Sequence, residues 1–166
     1  MGREPPFEPV ADASQAFDWR LREWGLHAAL RFLNLRTPHR FTGVHRFAPS
    51  RVEQVALVDR WFPGERTVTG FAPADACCAY MERTGAPLAV RDGRLEQHMD
   101  WMRASGVVSF FGVPIDDADG GRWGAIYHTD TESCDAKTSE IELLQSAARS
   151  VFLYLSRGGK FPSGGG

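Results

Sequence analysis

Apolar residues recur every three or four positions near both ends of the chain, and this spacing predicts a helix at each end. The first helix is expected over residues 14–35 and the last over residues 139–156. Gly25 is expected to be tolerated inside the first helix at some cost in stability. Each helix carries its apolar side chains on one stripe and should pack against a core through that stripe. The stripes contain Phe17, Leu21, Trp24, Ala28, Phe32 and Leu35 in the first helix, and Ile141, Leu144, Ala148, Val151, Phe152 and Leu155 in the last.

Two pairs of apolar segments between these helices predict β-hairpins. The first pair covers residues 40–48 and 51–61, and its alternation is interrupted near 54–56. The second pair covers 106–115 and 123–129, joined by a short acidic, glycine-rich link that favours a turn. The stretch 107–115 is apolar with almost no alternation, which is typical of a strand that is covered on both faces.

The region between the hairpins predicts a mixed segment that can cover one face of the sheet. A helix is expected over 73–83, a short extended run over 87–91 and a second short helix over 94–104. The terminal helices can cover the other face, so a three-layer arrangement is expected. The order helix, strand pair, helical crossover, strand pair, helix predicts an α+β fold around an antiparallel sheet.

Composition and charge narrow the class of protein. The chain of 166 residues has the length of one domain, and its formal net charge of -2 gives no strong field that would recruit nucleic acid or an anionic membrane. An odd count of three cysteines, two of them adjacent, is a poor disulfide framework and favours reduced thiols in a cytoplasmic protein. The apolar runs are too short to span a bilayer.

Three pieces of the sequence, in this order and spacing, resemble the GAF family of sensory domains. Residues 80–92, YMERTGAPLAVRD, resemble the family's helix followed by a Thr-Gly-x-Pro break and a short strand ending in Asp. Residues 105–115, SGVVSFFGVPI, resemble its "SxxxVPL" strand, and residues 121–128 resemble the "GxxxGxL" strand that follows. The resemblance covers roughly residues 14–156. We therefore expect a flexible segment over 1–13, a GAF-like domain over 14–157 and a flexible tail over 158–166.

The resemblance implies an antiparallel sheet of five or six strands with the terminal helices on one face. In the family these helices often join a dimer bundle, and a small-molecule pocket lies on the other face under a roof formed by the crossover segment. Family ligands include cyclic nucleotides, bilins, haem and small metabolites, and some members reduce free methionine sulfoxide. The Asn-Lys-x-Asp-Glu signature of the cyclic-nucleotide subset and the Cys-His pair of many bilin binders are both missing from this sequence.

Cysteines and histidines are the candidates for reactive chemistry. Cys77 and Cys78 lie in the expected roof, but the spacing of the sulfoxide reductases is not reproduced, and small buried side chains on a helix explain them better. His45 and His128 lie on strands that the family topology makes neighbours. They could hold a metal or haem between them, or each could be an ordinary strand residue with one partner.

Ligand-binding candidates combine aromatic faces with a few polar groups, as small-molecule sites do. Arginines near the roof would suit a carboxylate or a phosphate through paired donors. The tryptophans could equally be core residues. The candidates are Tyr80, Arg91, His98, Trp101, Arg103, Ser109, Trp123, Tyr127 and His128.

The sequence therefore predicts a cytoplasmic, non-catalytic sensory domain in signal transduction that binds an unidentified small molecule. Its cofactor is unknown, a homodimer through the terminal helices is expected, and direct contact with nucleic acid or membrane is not. One alternative is a thiol-dependent reductase of a small sulfoxide that uses Cys77 or Cys78. The other alternative is a pure dimerisation module.

Overall fold

A computed structural model describes residues 10–64, 75–97 and 99–158 of the chain. Over these ranges the order of helical segments and strand pairs is the one that the hydrophobic pattern predicts, except that the first helix is divided in two. In chain order they are α1 (Val10–Trp24), α2 (Leu26–Asn34), β1 (Phe41–Ala48), β2 (Arg51–Asp59), α3 (Asp75–Thr84), β3 (Leu88–Val90), α4 (Asp100–Ala104), β4 (Ser109–Asp116), β5 (Arg122–Asp130) and α5 (Thr138–Ser156).

The strands form one antiparallel sheet in the order β2-β1-β5-β4-β3. Both expected hairpins are confirmed, and they meet along the central pair β1 and β5. In the first hairpin Val44 pairs with Ala56 whereas His45 pairs with Gln54, so Val55 is an extra residue. This bulge is the physical reason for the interrupted alternation near residues 54–56.

Helices cover the sheet on both faces, which confirms the three-layer arrangement. We call the face under α1, α2 and α5 the helix side and the face under α3 and α4 the roof side. Consecutive side chains of β4 enter the two cores in turn, which explains its lack of alternation. The helix-side core includes Phe17, Leu33, Val113, Ile126 and Leu144, and the roof-side core includes Cys78, Met81, Met102, Phe110 and Tyr127.

The expectation of one continuous first helix is wrong, because the chain breaks at Gly25. Its φ of 92° lies in a region that glycine adopts without strain. Two members of the expected buried stripe are exposed as a result, Trp24 at 62% and Leu35 at 66%. The apolar face that α2 buries consists of Ala29, Leu30, Phe32 and Leu33.

The remaining elements differ from expectation mainly at their ends. α4 is shorter than the predicted helix over 94–104, and α5 begins one residue before the predicted start. The buried face of α5 includes Leu143 and Ala147, while Phe152 and Leu155 of the expected stripe are only half-buried. Gly85, with a φ of 68°, ends α3. No helix in the described ranges is long and apolar enough to cross a bilayer.

Candidate functional site

A small polar cluster interrupts the apolar layer between α3 and the sheet. His45 Nδ1 lies 3.0 Å from Cys78 Sγ, and His45 Nε2 lies 3.3 Å from Tyr127 Oη. The same Nε2 lies 3.7 Å from Asp75 Oδ1. The imidazole, the thiol and the phenol are buried, whereas the side chain of Asp75 is 49% exposed. These four side chains, which we call the roof-side cluster, connect solvent to the middle of the sheet.

Local geometry explains why these residues meet. Gly43 pairs with Tyr127, and a Cβ at Gly43 would collide with the phenol ring, so glycine lets the ring lie over β1. The ring then reaches His45, two residues further along the same face, at a centroid distance of 4.9 Å. Asp75 and Cys78 are three residues apart on α3 and therefore share one face of the helix.

Burial decides the protonation of the cluster. It lowers the pKa of His45 to about 4, so the imidazole is neutral at pH 7. Burial also raises the pKa of Cys77 to about 12 and the pKa of Cys78 well above its ordinary value. The pKa of the Tyr127 phenol is raised for the same reason. A neutral imidazole beside a neutral thiol can make hydrogen bonds, but it is not the thiolate pair that nucleophilic catalysis requires.

A second polar cluster lies on the helix side. Thr37 Oγ1 lies 2.6 Å from His39 Nδ1, and Thr42 Oγ1 lies 2.7 Å from His128 Nδ1. The two imidazole rings stack at a centroid distance of 5.7 Å. Asn34 Nδ2 donates to Thr42 Oγ1 and to two main-chain carbonyls. The Nε2 atoms of both histidines are buried without a hydrogen-bond partner among the described residues. Burial lowers the pKa of both rings, that of His39 to about 4.

Of the two alternatives for His45 and His128, a metal or haem held between them is wrong. Their strands are neighbours, but His128 pairs with Thr42 and His45 pairs with Ala125. The offset of three residues places the two rings on opposite faces of the sheet. Within the described ranges no group of three or more histidine, cysteine or acidic side chains could hold a metal ion.

The sequence-predicted binding residues divide between the two faces. Tyr80 and Trp101 stack on the roof at a centroid distance of 5.5 Å, and Tyr127 lies in the core beneath them. The arginines point to solvent: Arg91 pairs with Asp135 at 3.3 Å, and Arg103 pairs with Asp100 at 3.4 Å. His98 lies outside the described residues.

The other three candidates lie on the helix side. Ser109 Oγ donates to the carbonyl of Glu132, and His128 belongs to the helix-side cluster. Trp123 packs edge-on against Phe152 of α5. Its direction follows from a register irregularity beside it: Ile115 pairs with Gly124 and Asp116 with Arg122, so Trp123 is an extra residue. The eight candidates that lie within the described residues are therefore divided between the two faces of the sheet, and a common binding site for them stays a prediction.

Sequence reasoning weighed the partners of the roof-side cluster separately and missed Asp75. The sequence suggests His128 as a partner for His45 and suggests small buried side chains for Cys77 and Cys78, but it does not link His45 to Cys78. The i, i+3 spacing of Asp75 and Cys78 on a predicted helix was the available signal. Placing His45 beneath them required the register of β1, which the pattern of apolar residues does not give.

The sheet order, the helices on one face and the roof on the other define a sensory α+β fold of the GAF type. The family model for the GAF domain matches residues 19–155, and the chain belongs to this family. A search of curated proteins finds no significant match.

Solved structures with the same fold are similar to this chain at low sequence identity. The GAF domain of a phosphoenolpyruvate-protein phosphotransferase from Acinetobacter has a TM-score of 0.69 at 9% identity, covering 89% of this chain and 93% of that one. A type II free methionine-R-sulfoxide reductase from Thermoplasma acidophilum has a TM-score of 0.60 at 14% identity, covering 88% and 96%. A far-red absorbing protein with bound biliverdin IXa has a TM-score of 0.63 at 13% identity, covering 87% and 98%.

Proposed function

We propose that this GAF domain is a sensory module in signal transduction that binds a small molecule on the roof side of its sheet. The observation that carries the proposal is the roof-side cluster, a set of hydrogen-bonding groups placed in an otherwise apolar layer. Ligand sites combine apolar walls with a few polar groups that fix orientation. Asp75 gives this cluster a contact with solvent, and the stacked rings of Tyr80 and Trp101 lie on the same side of the sheet.

Solved structures of the same fold support the proposal that a small molecule binds. One similar structure holds biliverdin IXa, and a free methionine-R-sulfoxide reductase from Neisseria meningitidis was solved with its substrate. For this chain we propose neither ligand, because the cysteine patterns of the pigment binders and of the reductases are missing from the sequence.

The proposed mechanism is a shift in the population of roof positions. A ligand that contacts His45 or Asp75 favours one position of α3 over another, and only this difference in affinity can drive a response. We propose that the domain extends over residues 14–157 and that its terminal helices report the shift through a homodimer contact. A reducing, cytoplasmic location agrees with the three free cysteines.

The test begins with the protein as purified. Native mass spectrometry and an absorbance spectrum reveal a ligand that is retained, and thermal unfolding with haemin, biliverdin, cyclic nucleotides and free methionine sulfoxide screens for one that is lost. The substitution Asp75→Asn is expected to reduce the ligand-dependent rise in melting temperature. Asp100→Asn, which changes an exposed carboxylate on α4, is the matched control. The proposal is contradicted if the native mass is that of the chain without a ligand and no compound of the panel changes the melting temperature. The alternative of a pure dimerisation module would then be favoured.

A thiol-dependent reductase is the less supported alternative. The contact between Cys78 and His45 favours it, but burial of both roof cysteines keeps their thiols protonated. Reduction of free methionine sulfoxide with dithiothreitol tests it directly. Activity that disappears in the Cys77→Ala, Cys78→Ala double variant would support the enzyme, and activity that survives would exclude these thiols as its source.

A further inference from the structure

A groove on the helix side lies between α5 and the outer edge of the sheet. We call it the edge groove. It has a volume of about 630 Å³, which is within the range of small-molecule sites. Its lining includes Val113 and Ala148 of the helix-side core, so it lies on the opposite face of the sheet from the roof-side cluster.

The shortness of β3 leaves the groove open. β3 pairs only with residues 110–112 of β4, so residues 113–116 have no partner strand on this edge within the described ranges. Gly85 and Pro87, which precede β3, line the groove beside them. Because Pro114 has no main-chain N–H, a long peptide strand cannot extend the sheet here. The edge groove therefore suits a short occupant better than an added strand.

Charged side chains of both signs line the edge groove. Gln145 and Arg149, one helical turn apart on α5, supply hydrogen-bond donors from one wall. Asp116 and Asp117, where β4 enters the hairpin turn, supply carboxylates from another wall. Within the part of the chain that the structure describes, no ion pair joins Arg149 to either carboxylate. The two signs are thus kept apart on different elements of the fold.

The acidic wall is held in place by its own turn. Asp117 Oδ1 accepts hydrogen bonds from two main-chain N–H groups of the turn, at 2.8 and 2.9 Å. The guanidinium of Arg122 adjoins this wall, because it lies against Gly85, yet it makes no ion pair with Asp116 or Asp117 among the described residues. The charges around the groove therefore balance, and a ligand with charges of both signs finds a partner for each.

We propose that the edge groove binds a zwitterionic small molecule with an apolar body, such as a short peptide with free termini. Its carboxylate pairs with Arg149, whose planar guanidinium offers two parallel donors, and its ammonium group pairs with Asp116 and Asp117. Its apolar body lies against Phe152, which is half-buried, and Leu153, which is 44% exposed. Such a ligand connects α5 to the β4–β5 hairpin without contacting the roof.

The test uses four forms of the dipeptide leucyl-leucine: with both termini free, with an acetylated amino group, with an amidated carboxyl group, and with both changes. Titration of the full chain, followed by amide chemical shifts in NMR spectra, gives the affinity of each form and locates its site. The free dipeptide should bind most tightly, and each blocking group should weaken binding by about fivefold, as loss of a partly exposed ion pair does. The shifts should concentrate around the groove, at Gly85 and Ala118 among others.

Two groove variants assign each charge to its partner. In Arg149→Gln, amidation of the peptide should no longer weaken binding, whereas acetylation still should. In the double variant Asp116→Asn, Asp117→Asn the reverse is expected, and the amide oxygen at position 117 still offers an acceptor to the turn. Arg31→Gln and Glu142→Gln are matched controls, because they remove a charge outside the groove, and they should leave all four affinities unchanged.

The proposal is overturned if no form of the dipeptide binds at millimolar concentration, if all four bind equally, or if the control variants lose as much affinity as the groove variants. It is also overturned if the chemical shifts lie on the roof side of the sheet. A third result against it is an Arg149→Gln variant that changes only the self-association of the chain, followed by sedimentation.

Discussion

Acid should destabilise this domain well above the pH at which carboxylates titrate, because its central strands enclose neutral imidazoles. His39, His45 and His128 are all buried. Desolvation lowers the pKa of His39 and of His45 from 6.5 to about 4. For His39 the nearby carboxylates Asp130 and Asp135 oppose this effect and Arg60 adds to it. For His128 both His39 and Arg60 add to the desolvation.

The direction of the effect follows from linkage. In the unfolded chain each imidazole takes up a proton below about pH 6.5, while the folded state resists this until about pH 4. The stabilising contribution is therefore complete above pH 6.5 and is lost as the pH falls toward 4. One pKa unit corresponds to about 1.4 kcal/mol, so the lowered pKa values of His39 and His45 each account for about 3 kcal/mol of the free energy of unfolding. That is a large part of the 5–15 kcal/mol that holds a typical domain folded.

The perturbation is His39→Asn, which keeps a polar group near Thr37 Oγ1 but cannot titrate. Urea unfolding from pH 8 to pH 4.5 gives the free energy of unfolding at each step. For the wild type its slope should approach about 4 kcal/mol per pH unit near pH 5, because three protons are taken up. In the variant the slope should be smaller by about 1.4 kcal/mol per pH unit. Thr37→Val removes the hydrogen bond but keeps the imidazole, so it should lower stability without changing the slope.

The result that would refute this reasoning is a wild-type stability that stays flat between pH 7.5 and pH 5.5. An unchanged slope in His39→Asn would refute the assignment to His39 in particular.

Three further changes test the packing of the sheet and of the roof. Gly124→Ala would place a Cβ against the main-chain carbonyl oxygen of His45 and should lower the free energy of unfolding in urea by at least about 3 kcal/mol. Gly64→Ala is the control, because the space around Gly64 is open, and it should change the free energy of unfolding by less than about 0.5 kcal/mol. Asn34→Ala removes the donor that contacts Thr42 Oγ1 and the carbonyls of His39 and Arg40, and should cost about 1–3 kcal/mol; an unchanged urea midpoint would contradict the role of these contacts. With Ellman's reagent the folded protein should react at Cys134 and expose the two roof cysteines only on unfolding; a second fast thiol would show that the roof opens.

Hydrophobic periodicity was sufficient to predict the layers of this fold. The unbroken apolar run of β4 predicted burial on both faces, and only the crossover segment was available to cover the second face. The break at Gly25 was not predictable in the same way, because a glycine within an amphipathic pattern is compatible both with a continuous helix and with a turn. The outcome depends on tertiary packing against α5 and the sheet.

The candidate site was harder to predict than the fold because face assignment depends on register. A shift of one residue moves a side chain to the other face of a sheet. The bulge at Val55 and the irregularity at Trp123 are two such shifts, and neither has a glycine or proline at its own position to mark it. Trp123 consequently faces α5, and His45 and His128 face away from each other. Whether two histidines on neighbouring strands face each other can be decided only when the register of those strands is known.

Access to solvent distinguishes the two polar clusters that flank the central strands. The helix-side cluster is closed: His39 and His128 are buried, and their Nδ1 atoms contact buried threonines. The roof-side cluster contains equally buried groups, but Asp75 joins it to the surface at the first residue of α3. A molecule that arrives from solvent can therefore reach a hydrogen-bonding group of the roof-side cluster without unfolding the domain. Since α3 carries both Asp75 and the buried Cys78, any ligand that moves Asp75 also acts on the packing of the roof against the sheet.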